Sequence, residues 1–371
     1  MTPPVITASP PSKPRKSRGW MIFSIILLVL LLFSIFGNFI LAATRALTFS
    51  SGRSSAFKSH IVRDAGPRLD EVSLKERTGA RNKIAVVTVS GIITSREIDQ
   101  AGNTMVDLIR AQLDHAADDD RVKAVILKVN SPGGEVMASD QINKVIVKFQ
   151  NDSGKPVVCS MGSLAASGGY YISAPCRWIE ADDLTLTASI GVIMEGVNYR
   201  GLMDKIGIAP NIYKSGVHKD MLSGMRTTNE IPADEHEMVQ SLIMETYGKF
   251  TNIVAQGRSA SHKLNGSDGR PLAADWMSYA DGRVVSGRKA MDLGLVDEIG
   301  DFDDAVARAE KIANNAKPAN LVEYRLHYDL SDFFSMFGQS SKAPDIKLDL
   351  GIEAPKLQAG ERYFLWLPPA D

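Results

Sequence analysis

Hydrophobic positions divide this chain into a polar start, one long apolar run, and then short apolar runs separated by glycine-rich turns. The long run lies at residues 19–44, which carry no charge, and residues 20–41 are almost wholly apolar. As a helix, roughly 22 residues reach about 33 Å, enough for a hydrocarbon core of ~30 Å. A cleaved signal peptide is the competing reading, because Ala42 and Ala43 follow, but such peptides have an apolar core of about 7–15 residues. The pattern therefore predicts a retained transmembrane anchor. Residues 1–18 are rich in Pro, Ser, Lys and Arg and contain no acid, the composition of a basic tail that builds no core. Arg45, Arg53, Lys58 and Arg63 follow the span, but the denser cluster of Lys13, Arg15, Lys16 and Arg18 precedes it. Long C-terminal domains cross largely regardless of charge, so the expected arrangement is a cytoplasmic N-terminus and an extracytoplasmic domain on a single-pass membrane protein.

Past the span, residues 45–80 are polar and mixed in charge, and predict a juxtamembrane connector with some helix around residues 69–77. From Lys83 the periodicity changes. The run at residues 84–89 reads as a buried strand, and Met105, Leu108, Ile109 and Leu113 then recur at helical spacing. A second buried strand at residues 124–129 runs into the turn signal Asn130-Ser131-Pro132-Gly133-Gly134, followed by a helix with Val136, Ile142, Val145, Ile146 and Phe149 on one side. The next cycle is a strand at residues 156–160, a serine-containing segment, a short helix through Tyr171 and a strand around Ile179. Strands alternating with helices at this spacing predict an α/β fold with right-handed crossovers and a mostly parallel sheet. Farther on, residues 232–258 read as a long amphipathic helix and residues 303–313 as the last helix of a domain expected to span 81–315. Residues 316–371 are expected to form a tail, yet it carries an apolar tip, Tyr363-Phe364-Leu365-Trp366-Leu367-Pro368-Pro369. That tip is either plain disordered tail or a substrate-like segment able to reach an active site.

Composition removes several classes of function. Lys plus Arg total 42 against 43 Asp plus Glu, so no general basic field exists for a polynucleotide. Cys159 and Cys176 offer neither a disulfide scaffold nor a zinc spacing. With one ending a strand and the other opening the next parallel strand, they are expected at opposite ends of the sheet and unpaired. No metal-ligand cluster or phosphate-binding loop appears, so neither metal nor nucleotide is called for.

The candidate chemistry centres on Ser167, set among small residues after an apolar strand in Gly162-Ser163-Leu164-Ala165-Ala166-Ser167-Gly168-Gly169. No histidine lies between Ser167 and His218, which leaves a Ser-His-Asp arrangement little to work with. Gly133-Gly134 and Ser167-Gly168 follow the C-terminal ends of two strands, which in a parallel sheet share an edge. The amides of Gly134 and Gly168 are thus candidate donors to one oxyanion. Lys214 and Lys219 are both candidate bases. An unperturbed lysine is neutral in roughly one part in 2,500 at pH 7, so burial must lower its pKa before it can take a proton. Residue pattern alone leaves Lys214 and Lys219 open; His218, beside Lys219, is the weaker candidate.

Four segments together resemble one family. Asn130-Ser131-Pro132-Gly133-Gly134, Ala165-Ala166-Ser167-Gly168-Gly169-Tyr170-Tyr171, Thr187-Ala188-Ser189-Ile190-Gly191-Val192 and Lys214-Ser215-Gly216-Val217-His218-Lys219-Asp220 are similar to signal peptide peptidase A in its short, single-repeat form. The resemblance covers about residues 80–312. It implies a Clp protease/crotonase-like fold of repeated β-β-α units and a membrane-anchored serine peptidase with a Ser-Lys dyad that digests remnant signal peptides. It further implies Ser167 as nucleophile, Lys219 as general base, Ser189 as the residue that orients the lysine amine, and Gly134 and Gly168 as oxyanion donors. A homo-oligomeric ring, in which one subunit's lysine completes its neighbour's site, is also implied, and no cofactor is. Cys176 stands where the family more usually has a small residue. Three other readings stay open: a Ser-Lys protease acting on a specific membrane-protein partner, a crotonase-like acyl-CoA enzyme, and an inactive scaffold.

Overall fold

Runs rich in Val, Ile and Ala dictate the central sheet, because β-branched side chains pack well on both faces of a covered parallel sheet. A computed structural model describes residues 27–28, 31–32, 34, 66–99, 102–315, 318–327 and, as backbone, 363–365. The chain divides into two units, residues 1–64 and 65–371. In the first, Leu27, Leu28, Leu31, Leu32 and Ser34 are helical; the rest of the expected anchor, 19–44, and the basic tail, 1–18, lie outside the described residues. Among the described residues no helix is long and apolar enough to cross a membrane.

The second unit opens with β1 (Leu69–Lys75) and β2 (Lys83–Ser90), then α1 (Met105–Asp118), β3 (Val122–Ser131), β4 (Gly133–Glu135) and α2 (Val136–Ser153). It continues with β5 (Val157–Ala166), α3 (Gly168–Ser173), β6 (Trp178–Ala181), β7 (Leu186–Ala188), α4 (Arg200–Lys205) and the 31-residue α5 (Glu235–Asn265). Then come β8 (Val284–Ser286), α6 (Gly287–Asp292), β9 (Glu298–Ile299), α7 (Phe302–Ile312), β10 (Asn320–Leu326) and β11 (Tyr363–Leu365). The main sheet runs β1-β10-β2-β3-β5-β6-β9, with β7 joining β5 and β8 joining β7. All neighbours from β10 to β9 along that path are parallel, while β1 and β10 pair antiparallel. The predicted mixed α/β architecture with a mostly parallel sheet is thus present.

Alternation within the strands sorts side chains into two layers. Ile84, Ala124, Ile126 and Val158 pack beneath α7 with Val306 and Ala309. Ala85, Val87, Val125, Leu127 and Val129 face the opposite layer with Ile109, Leu113, Ile142 and Phe250. Arg258, fully buried on α5, is tied by Nη2 to Asp297 Oδ1 at 2.5 Å, and Asp297 also accepts the Ile179 amide at 2.8 Å. That pair pins α5 to the sheet beside β6.

Three expectations change. Residues 69–75 form a strand, not helix, because their partner is β10, some 250 residues away in sequence. β10 itself falls in the stretch expected to be tail, and lies between β1 and β2, so the sheet reaches beyond 81–315 on both sides. The cysteines are neighbours rather than at opposite ends: β5 continues through Gly162 to Ala166, which puts Cys159 near its start, level with Ile179 of β6. Both thiols are free and buried, and burial, reinforced by Cys159, pushes the Cys176 thiol up.

Candidate active site

Ser167 sits at the sharp junction between β5 and α3, with φ 55° and ψ −116°. A residue with a side chain is strained there by about 1–3 kcal/mol, and such conformations persist only where surrounding bonds over-determine them. The Ser167 amide donates to the Ala188 carbonyl at 2.7 Å and its carbonyl accepts from Tyr171 at 2.8 Å. Tyr170 and Tyr171 anchor α3 below it. The Tyr170 hydroxyl donates to the Leu295 carbonyl and the Tyr171 hydroxyl to Asp140, each at 2.8 Å, and Tyr171 meets Phe250 edge-on at 5.0 Å. Burial opposes the charge on Asp140, but hydrogen bonds from Lys144, Lys249 and Tyr171 outweigh it and hold its carboxyl below the usual range. Ser167 is itself 2% exposed.

The two candidate oxyanion residues meet. A Cβ on Gly168 would lie 3.1 Å from the Gly134 nitrogen and 2.6 Å from Ser139 Oγ, while one on Gly134 would lie 1.9 Å from the Ile93 carbonyl oxygen. Only glycine permits this approach. On one edge of β4, Ile93 takes up the Gly133 carbonyl and the Glu135 amide, each at 2.8 Å. The other edge is covered by β11, antiparallel, with Phe364 opposite Gly134. Residues 363–365 of the apolar tip thus pair with the strand that carries Gly134.

Ser189 also arrives near Ser167. Ala188, whose carbonyl bonds Ser167, and Ser189 both have left-handed φ, 63° and 50°. The Ser189 hydroxyl donates to the Gly282 carbonyl at 3.1 Å and its amide to Arg283 at 2.9 Å. With its proton committed, the Ser189 oxygen retains lone pairs to accept from an amine. The bases behave differently. Lys214 Nζ lies 2.8 Å from Asp220 Oδ1 and 3.1 Å from the Val217 carbonyl, and His218 Nε2 lies 3.5 Å from Asp234. Lys219 is exposed and, among the described residues, forms no side-chain hydrogen bond, with Ser167 or otherwise. The single chain therefore brings together Ser167, the glycines and Ser189, and among the described residues joins Lys219 to none of them by a hydrogen bond.

A peptide-accommodating strand edge, a strained serine and paired glycine backbones on an α/β sheet define a serine-hydrolase type of centre. Comparison with known proteins makes it specific. Residues 149–316 match the model of peptidase family S49, and residues 81–175 match that of Clp protease. The chain is 37% identical over 266 residues to a putative signal peptide peptidase SppA of Enterococcus faecium, covering 69% of this chain and 71% of that one. It is 36% identical over 239 residues to a putative protease of Synechocystis, covering 64% and 76%. Protease 4 of Haemophilus influenzae is 36% identical over 261 residues, 70% of this chain but 40% of that protein. The chain belongs to peptidase family S49 and is a serine peptidase.

Proposed function

We propose that this peptidase is a membrane-anchored endopeptidase that uses Ser167 and Lys219 as a dyad to hydrolyse remnant signal peptides at the membrane. The observation that carries the reading is β11: an extended segment of the chain itself adds to β4 in antiparallel register beside Ser167. Strand addition gives a peptide main-chain hydrogen bonds independent of its sequence. The relative named signal peptide peptidase and the apolar run at 20–41 support the substrate class and the anchor.

In the proposed mechanism Lys219, neutral at the moment of reaction, takes the Ser167 proton as Oγ attacks the scissile carbonyl. The resulting oxyanion is held by the Gly134 and Gly168 amides, and removal of one such donor typically costs about 2.7–4 kcal/mol. Lys219 returns the proton to the leaving amine, and water, deprotonated in turn, releases the acyl group. Ser189 fixes the amine through its free lone pairs. Lys219 is exposed and, among the described residues, forms no hydrogen bond with Ser167, which supports a lysine supplied by a neighbouring copy in a homo-oligomeric ring. Val197, Leu202, Ile206 and Tyr213, 61–96% exposed on the segment that leads to it, offer the apolar surface such a neighbour would cover.

The test is cleavage of a synthetic signal peptide by detergent-solubilised, assembled protein. Wild type is expected to cut, and Lys219→Ala to lose about 10³-fold or more in kcat. Full activity in the variant would remove Lys219 as the base.

A further inference from the structure

The segment bearing Lys219 has almost no core of its own. Residues 211–217 are exposed throughout, and α4, on the same excursion, buries no side chain. Loops held so weakly open easily, whereas a base must be held within a fraction of an ångström of its working position. Something other than apolar burial must fix the loop.

Arg226 and Glu235 occupy that place. They are 2% and 4% exposed, and the Arg226 guanidinium donates to Glu235 Oε1. Two further groups join them from the residues that follow the lysine. Asp220, the next residue after Lys219, lies 3.6 Å from Arg226 Nη1 and holds Lys214 at 2.8 Å; the Leu222 amide donates to Glu235 Oε1 at 3.0 Å. Leu222 has φ +67°, left-handed for a residue with a side chain, so the bond to Glu235 holds a bend that leucine does not favour. The Asn198 side-chain amide donates to the Arg226 carbonyl at 3.1 Å. Glu235 begins α5 and Lys249, along the same helix, lies 2.7 Å from Asp140, which accepts from Tyr171 on the nucleophile helix α3. One rigid helix thus joins the lysine loop to the helix that follows Ser167.

We propose that Arg226 and Glu235 are positioning residues for Lys219: their buried ion pair fixes the backbone at Asp220 and Leu222, and so holds the exposed Lys219 amine in place for use. The inference rests on the reading of Lys219 as base. A pair kept only for stability is replaceable by apolar side chains at little cost, whereas a pair that sets loop shape is not.

The experiment compares wild type, Lys219→Ala, Arg226→Met, Glu235→Gln and the double variant Arg226→Met/Glu235→Leu. Each is checked for wild-type circular dichroism and assembled mass, then measured for kcat, KM and the rate of Ser167 labelling by a small fluorophosphonate. The expected result is a fall of about 10²-fold in kcat and in labelling for each Arg226 or Glu235 variant that assembles, with KM within about threefold, the signature of a displaced catalytic group. Glu235→Gln keeps the shape and the Leu222 bond, so it supplies the reading if the Met and Leu variants fail to fold. If Lys219→Ala is inactive but the assembled pair variants retain kcat and labelling within twofold, the positioning role is overturned and the base stands. If Lys219→Ala is itself fully active, base and positioning role fall together.

Discussion

At the scale of single residues, the site depends on side chains that are absent as much as on those present. Gly134 faces the Ile93 carbonyl at a distance no Cβ can occupy; Gly134→Ala is expected to abolish peptide cleavage and lower the melting temperature, measured by thermal unfolding beside a turnover assay. Ser167→Ala removes the nucleophile and should cost 10³-fold or more in kcat/KM, roughly the scale seen when a covalent catalyst is lost. A different residue sets pH dependence. Glu180 on β6 is buried with both carboxylate oxygens unbonded, and desolvation, with Glu298 and Asp304 nearby, raises it from 4.5 to about 8. Below pH 4.5 folded and unfolded chains both hold its proton. Between that value and pH 8 the unfolded chain loses the proton and the folded chain keeps it, so stability falls as pH rises, by at most about 1.4 kcal/mol per unit. Glu180→Gln should therefore match wild type in urea unfolding near pH 4.5 and exceed it increasingly toward pH 8; equal midpoints at pH 8 would contradict the assignment. Ser167, Gly134 and Gly168 were legible as candidates from the residue pattern, and Ser189 through the family resemblance. Ala188 was not, because its left-handed turn carries no glycine to announce it.

At the scale of elements, period and turn chemistry revealed what lay close in sequence. α1 was legible from apolar spacing and is fixed by a capping box between Thr104 and Asp107, and α7 likewise between Asp301 and Asp304. The strand at Leu69–Lys75 was not legible. Its alternation is weak, none of its residues is buried, its pairing comes from β10, and a polar stretch reads equally well as a connector until its partner is known. β11 belongs to the same group, and it carries a prediction. Because residues 363–365 pair with β4, where the proposed function puts a peptide substrate, they are expected to compete with added peptide at an effective concentration that the tether raises. Deleting residues 362–371 is expected to lower the apparent KM for a synthetic signal peptide by about tenfold, with kcat nearly unchanged; an unchanged KM would show that the strand does not obstruct the substrate path.

At the scale of the whole molecule, the proposed supply of Lys219 by a neighbouring copy predicts that activity belongs to assembled copies. Mixed Ser167→Ala and Lys219→Ala chains, each inactive alone, should regain activity when co-assembled, because some interfaces then pair an intact serine with an intact lysine. Peptide turnover of the co-expressed mixture measures this, and silence from a properly assembled mixture would place the lysine in its own subunit's site. The sequence by itself determined the local matters: the buried strands, the helices, the balance of charge, the strand-end glycines and the serine between them, since each follows from a few consecutive residues and their period. Only the tertiary structure decided that β1 and β10 complete the sheet, that Cys159 and Cys176 are neighbours, that the tail lies on β4 and that Arg226 and Glu235 close on each other under the Lys219 loop. Those are encounters between distant parts of the chain, fixed by which surfaces fit when the core closes, and no short window of residues contains both partners.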